Sequence, residues 1–110
     1  MEAVLQIEQL RDVTMNDPDL MREILGALVD DTAKHLQLLE TAIRDGDSKK
    51  CIRLAHYSKG ACANVGANRA AGIFRQIEKS AADGEFVMCS QSLASMPTEL
   101  DLLRSAASAL

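Results

Sequence analysis

Ala55-His56-Tyr57-Ser58-Lys59-Gly60-Ala61-Cys62-Ala63-Asn64-Val65-Gly66-Ala67 is the stretch that decides how this chain is read. Counting from Cys51, small and apolar side chains recur at Cys51, Ala55, Ser58, Cys62 and Val65, in steps of 4, 3, 4 and 3. At about 100° per residue these positions form one narrow stripe, the seam of a helix packed against other helices. His56 lies about 140° round from Cys51 on that wheel, so its imidazole is expected to face solvent. Gly60 follows one turn later on the same outward face, with Lys59 at i+3 beside it. A glycine inside a helix costs about 1 kcal/mol relative to alanine. Next to an exposed ring it leaves a bare surface that another molecule can approach.

The flanking sequence reads as further helices. Val4, Leu5, Ile7 and Leu10 suggest a short amphipathic helix over Val4 to Val13, too short to stand alone and suited to lid a bundle. Asp17 is a good N-cap and Pro18 fits the first helical position. The helix they start carries Leu25, Leu28, Thr32, Leu36, Leu39 and Ile43 inward, and Asp45-Gly46-Asp47 ends it. Ser48 opens the histidine-bearing helix, with Asp47 or Ser48 as cap, and Gly66 marks the next turn. Ala70, Ile73, Phe74, Ile77 and Ala81 line one side of the following helix, closed by Asp83-Gly84. The final segment repeats in steps of 4 and 3 through Cys89, Leu93, Met96, Leu100, Leu103, Ala107 and Leu110. Pro97 interrupts it and is expected to kink or break the helix near Leu93 to Met96. Short connections make neighbouring helices antiparallel. The expected fold is all-α: an antiparallel four-helix bundle with a short additional N-terminal helix, in one domain spanning residues 1–110.

Composition narrows the class. The 110 residues suffice for one core, and the chain is 47% hydrophobic with no Trp, one Tyr and two Phe, so Ala, Leu and Ile build that core. No apolar run reaches 18 residues, which argues against a membrane span, and Met1-Glu2-Ala3-Val4 has no signal-peptide character. Cys51 and Cys62 stand about 16 Å apart along one helix and cannot pair. Three unpaired thiols fit a reduced, cytoplasmic protein. The net charge of −4 is uneven. Ser48 through Ile77 holds no Asp or Glu, and Lys49, Lys50, Arg53, Lys59, Arg69 and Arg75 give it +6 against −10 elsewhere. Such a surface suits a phosphate and an acidic partner.

The order Ala-His-x-x-Lys-Gly, the pair Gly66-Ala67 ten residues after the histidine and the hydrophobic-Glu pair Ile77-Glu78 resemble the signature of histidine-containing phosphotransfer (HPt) domains. The resemblance spans about the whole chain, since those domains are four-helix bundles of this length. It departs at Ser58, where the family usually has leucine, and at Ala61 and Cys62, where small hydroxyl residues are usual. It implies that His56 is phosphorylated, with receiver domains of response regulators and hybrid or sensor histidine kinases as partners. Any Mg²⁺ would come from the partner receiver, the chain itself needing no cofactor and acting as a monomer. Lys59 would offset charge gained by the ring, and Gly60 would admit the partner's aspartate pocket. Lys49, Ile52, Arg53, Ala63 and Asn64 are candidate partner contacts.

The chemistry of the residues agrees with that expectation. A neutral imidazole nitrogen is a good nucleophile near pH 7 and can attack an acyl phosphate. The labile N–P bond then lets the phosphoryl group pass to an aspartate. Tyr57, turned about 100° away, is packing or rim. His35 sits at the edge of its own inward stripe as a boundary residue. No ligand cluster suggests zinc, Cys62 reads as structural, and Met88 and Met96 read as core filler. No glycine-rich nucleotide loop or carboxylate cluster for Mg²⁺ is present, which argues against autophosphorylation from ATP. Two rival readings are a non-phosphorylated helical adaptor and a nucleic-acid binder. The second is disfavoured by the negative net charge and by the lack of stacking aromatics other than Tyr57.

Overall fold

The computed structural model describes residues 3–110, which are helical apart from short connections and a few residues at each end. Met1 and Glu2, read above as part of a leaderless start, lie outside the described residues. The helices are α1 (Ile7–Val13), α2 (Pro18–Arg44), α3 (Ser48–Asn64), α4 (Asn68–Ala82), α5 (Phe86–Leu93) and α6 (Met96–Ser108). α2, α3, α4 and the α5–α6 pair form the four arms of the bundle. α3 packs most extensively on α4, α4 on α5, and α2 on both α3 and the α5–α6 arm, which closes the ring. At 1.5 Å per residue the 27 residues of α2 span about 40 Å. The molecule is 42 Å long, so α2 sets its length.

Two cross-links show neighbouring arms running antiparallel. Ser48 Oγ at the start of α3 donates to the Ala81 carbonyl at the end of α4, at 2.6 Å. Arg22 Nη1 near the start of α2 donates to the carbonyl of Leu110, beyond the end of α6, at 2.8 Å.

Local sequence accounts for the helix ends. Asp17 Oδ1 accepts from the backbone N–H groups of Asp19 and Leu20, and Asp47 Oδ1 from that of Lys50, which meets donors no helix can satisfy internally. Three helices end alike. In each, the residue after a left-handed glycine (Gly46, Gly66, Gly84) donates back to a carbonyl five residues earlier (Ala42, Cys62, Ser80). Pro97 sits in the first turn of α6 and cannot donate to Leu93, and the last arm bends at Ala94 and Ser95, where the backbone stays α-like. The predicted break is where the structure has it.

The inward stripes are also as predicted, with two shifts. Cys51, Ala55, Ser58, Cys62 and Val65 are buried along α3 and its C-cap, and Phe74, Ile77, Leu100 and Leu103 are buried in the same core. Leu36, Ile73, Leu93, Ala107 and Leu110 sit half-buried at its edge. Met88 is not core filler: it is 50% exposed, because it lies one residue, about 100°, off the stripe through the buried Cys89. Met96 is fully buried as expected.

α1 starts at Ile7 rather than Val4. The extended backbone of Gln6 donates its N–H to the Gly66 carbonyl at 2.8 Å, tying the segment before α1 to the α3–α4 turn. Buried Leu10 then anchors α1 over this end of the bundle.

Candidate functional site

α3 carries His56 outward because its seam residues, Ala55 and Ser58, are held in the core. The His56 side chain is 69% exposed, whereas Lys59 and Glu78 are 25% and 22% exposed. Gly60 continues the same face, and a Cβ built there would meet nothing within 4 Å. The bare surface expected beside the ring is therefore open space.

The extensive α3–α4 packing brings Glu78 of α4 up to this face. Its Oε2 lies 3.0 Å from His56 Nδ1, and its Oε1 accepts from Lys59 Nζ at 2.7 Å. An ionised carboxylate can only accept, so Nδ1 carries the proton and donates it to Glu78. Nε2 of a neutral ring is then the atom with a free lone pair, on a side chain that is mostly exposed. Desolvation pushes the Glu78 carboxyl up. Hydrogen bonds from Lys59 and His56, with the two nearby positive charges, outweigh it and hold the group below its ordinary value. Glu78 is thus a fixed anion that orients the ring.

Sequence reading quoted Glu78 only as part of a signature and gave it no task. A signal was available: it is the first acidic residue after a run of 30 that contains none, so it meets several cations with no competitor. The same contact changes the picture of Lys59. Its ammonium is committed to Glu78, not free beside the ring. The +6 of the acid-free stretch is likewise reduced, since Arg69 pairs with Glu99 of α6 at 3.0 Å.

The other predicted contacts fall around the site. Lys49 and Arg53 are exposed on the His56 side of α3, Ile52 is half-buried behind them, and Asn64 is exposed at the far end. Ala63 is half-buried, and its carbonyl accepts from the Gln9 side chain, so α1 borders the face at that end. Sequence reading had no means to see this border. Tyr57 faces away from His56 and stacks on His35 of α2, with ring centroids 4.9 Å apart. His35 itself is tied by Nδ1 to the Asp31 carbonyl at 2.8 Å.

The three thiols are buried and unpaired. Burial pushes Cys62 up to about 11 despite a hydrogen bond with Thr32, and raises Cys51 and Cys89 as well. None is a ready nucleophile. Among the described residues no helix is long and apolar enough to cross a membrane. A groove of about 370 Å³ lies between α2 and the α5–α6 bend, lined by Leu36, Glu40, Ile43, Leu93 and Pro97, with nothing from α3 or α4. The His56 ring thus lies outside that groove, on an exposed face with open space at Gly60.

Comparison with known proteins gives the same reading. The family model described as Hpt domain matches residues 23–106. A search of the curated proteins returned no match. Among solved structures the chain is similar to histidine-containing phosphotransfer protein B (HptB) from Pseudomonas aeruginosa PAO1. The TM-score is 0.87 at 26% sequence identity, over 98% of this chain and 94% of that one. With the bundle, the exposed histidine and a family match over most of its length, this chain belongs to the Hpt domain family.

Proposed function

We propose that His56 is the phosphoryl-accepting residue through which this chain serves as a phosphotransfer intermediate in a two-component phosphorelay. The observation that carries the reading is the His56–Glu78 contact: it favours the proton of a neutral ring on Nδ1, so that Nε2 keeps the free lone pair on an exposed side chain beside the open space at Gly60. Nε2 attacks the phosphorus of a receiver's aspartyl phosphate, and the aspartate carboxylate leaves. The reverse displacement passes the group to a second receiver. The partners are receiver domains of response regulators and of hybrid kinases, and any divalent metal is supplied on their side. Lys49 and Arg53 steer the acidic partner, and Gly60 lets its pocket close over the ring. The chain works as a monomer in the cytoplasm.

The test is incubation with phosphorylated receiver domains. Label should appear on His56 alone, labile in acid and stable in base. His56→Gln should abolish it with helix content unchanged. Label retained in that variant, or found on His35, would sink the assignment. A partner that binds the His56→Gln variant normally, with no label on the wild type, would favour the adaptor reading instead.

A further inference from the structure

We propose that the groove between α2 and the α5–α6 bend is a second binding site, and that it takes a small amphipathic cation: a primary ammonium on a short apolar or aromatic stem. The inference does not rest on His56 being phosphorylated, since no residue of α3 or α4 lines the groove.

The groove follows from the bend in the last arm. Leu36 and Leu93 occupy inward positions of their helical repeats, yet both remain half-buried. The bend at Ala94 and Ser95 interrupts the repeat on the α5–α6 arm, so these two leucines are not fully covered. With Ile43, Ala94 and Pro97 they give a mainly apolar lining to about 370 Å³. Small-ligand sites occupy about 300–1,000 Å³ and are lined in the same way, by apolar side chains with a few polar groups. A docked protein is a poorer match. Eight residues line the groove, whereas a stable protein interface uses about 20–30 a side.

The polar groups decide which ligand fits. Glu40 is the one charged residue of the lining, and Gln37 and Ser90 complete it. Arg44 approaches Glu40 at 3.4 Å with both side chains exposed, a contact of the kind that contributes little. The carboxylate is therefore open to a second cation. Pro97 has no N–H to give to the carbonyl of Leu93. Ser95 Oγ does not replace that donor, because it is committed to the Ser92 carbonyl. Among the described residues no turn or cap hydrogen bond reaches Leu93 either. The residue with the free carbonyl and the proline that frees it both line the groove. The site thus offers a carboxylate and a main-chain acceptor, with no cation in its lining. An ammonium carries three donors and no acceptor, which matches that set. Glu40 opposes an anionic ligand, so this face selects the chemistry opposite to that of the His56 face.

The test is a titration of the ¹⁵N-labelled chain with phenethylammonium chloride, with 2-phenylethanol as its uncharged match. Saturable amide shifts should centre on Leu36, Glu40, Leu93 and Ala94, and the melting temperature should rise with ligand. The alcohol should bind more weakly. Glu40→Gln should weaken the ammonium by about two- to fivefold. Ala94→Trp, at an exposed residue of the lining, should fill the groove and abolish the shifts. Shifts that never saturate or that centre on Gly60 would overturn the proposal. So would equal binding of the alcohol together with an unchanged affinity in Glu40→Gln, which would make the groove merely apolar. Shifts at the same residues that grow with protein concentration in the absence of ligand would seat a second copy of the chain there, and would overturn it as well. No phosphoryl donor enters the experiment, so its failure leaves the relay reading untouched, and failure of every receiver to label His56 leaves this site untouched.

Discussion

Gln6 and Gly66 meet backbone to backbone: the Gln6 N–H donates to the Gly66 carbonyl at 2.8 Å, and a Cβ added to Gly66 would lie 2.6 Å from the Gln6 carbonyl oxygen. Gly66 also has φ +86, a conformation that costs other residues roughly 1–2 kcal/mol. Gly66→Ala should therefore lose about 2 kcal/mol or more and loosen α1 from the bundle. Gly60→Ala should do the opposite. It sits in a helix with open space around it and stands to gain up to about 1 kcal/mol. Thermal melts of the two variants should move in opposite directions. Gly60→Gln should keep the fold and slow transfer.

The Arg69–Glu99 pair should behave as a buried charge with one essential partner. The Glu99 side chain is 5% exposed and that of Arg69 35%. Arg69→Met leaves the carboxylate unpaired in the core, at a cost of roughly 2–4 kcal/mol, toward the low end because the arginine is partly solvated. Adding Glu99→Leu should recover most of it. Urea unfolding of the four proteins in that cycle measures the coupling, and additive losses would show that the pair does not act as a unit.

Ser58 carries a different liability. Its hydroxyl is buried on the α3 seam and makes no hydrogen bond. Ser58→Ala should raise stability by about 1 kcal/mol, because an unsatisfied polar atom is removed and helix propensity improves. A lower melting temperature in that variant would mean the hydroxyl is satisfied after all.

Acid should weaken the α3–α4 contact at Glu78. Its folded carboxyl lies below the ordinary value of 4.5, so its contribution is present above that value and is lost as pH falls through the folded one. Wild type should accordingly lose stability below about pH 4.5 more steeply than Glu78→Gln. Parallel stability curves for the two proteins between pH 3 and pH 6 would remove this group from the acid response.

Salt should separate the lysines and arginine of the His56 face. Lys49 and Arg53 are exposed, and on their proposed role in partner encounter their replacement by alanine should slow association and flatten its salt dependence, with the chemical step little changed. Lys59 is paired with Glu78. Lys59→Ala should slow transfer by about tenfold or less at either salt concentration. Stopped-flow transfer at two ionic strengths distinguishes the two patterns. Unaltered salt dependence in Lys49→Ala with Arg53→Ala would make the positive surface incidental.

Periodicity, caps and turns are local properties, and they were legible without coordinates. The seam through Cys51, Ala55, Ser58, Cys62 and Val65, the Asp17 and Asp47 caps, the glycine turns and the bend before Pro97 all follow from residues within a few positions of one another. The outward placement of His56 and the open space at Gly60 follow from the same helical wheel. What crosses from one helix to another was not legible. Which oxygen of Glu78 meets His56, the capture of Lys59 by that carboxylate, the Arg69–Glu99 pair and the approach of Gln6 to Gly66 join residues 19 to 60 positions apart. Such contacts depend on the rotation and axial offset of whole helices, which are set by side-chain interlocking throughout the core. The helical wheel alone pointed to His56 on an outward face, while only the packing of α4 against α3 brought Glu78 within hydrogen-bond reach of its Nδ1.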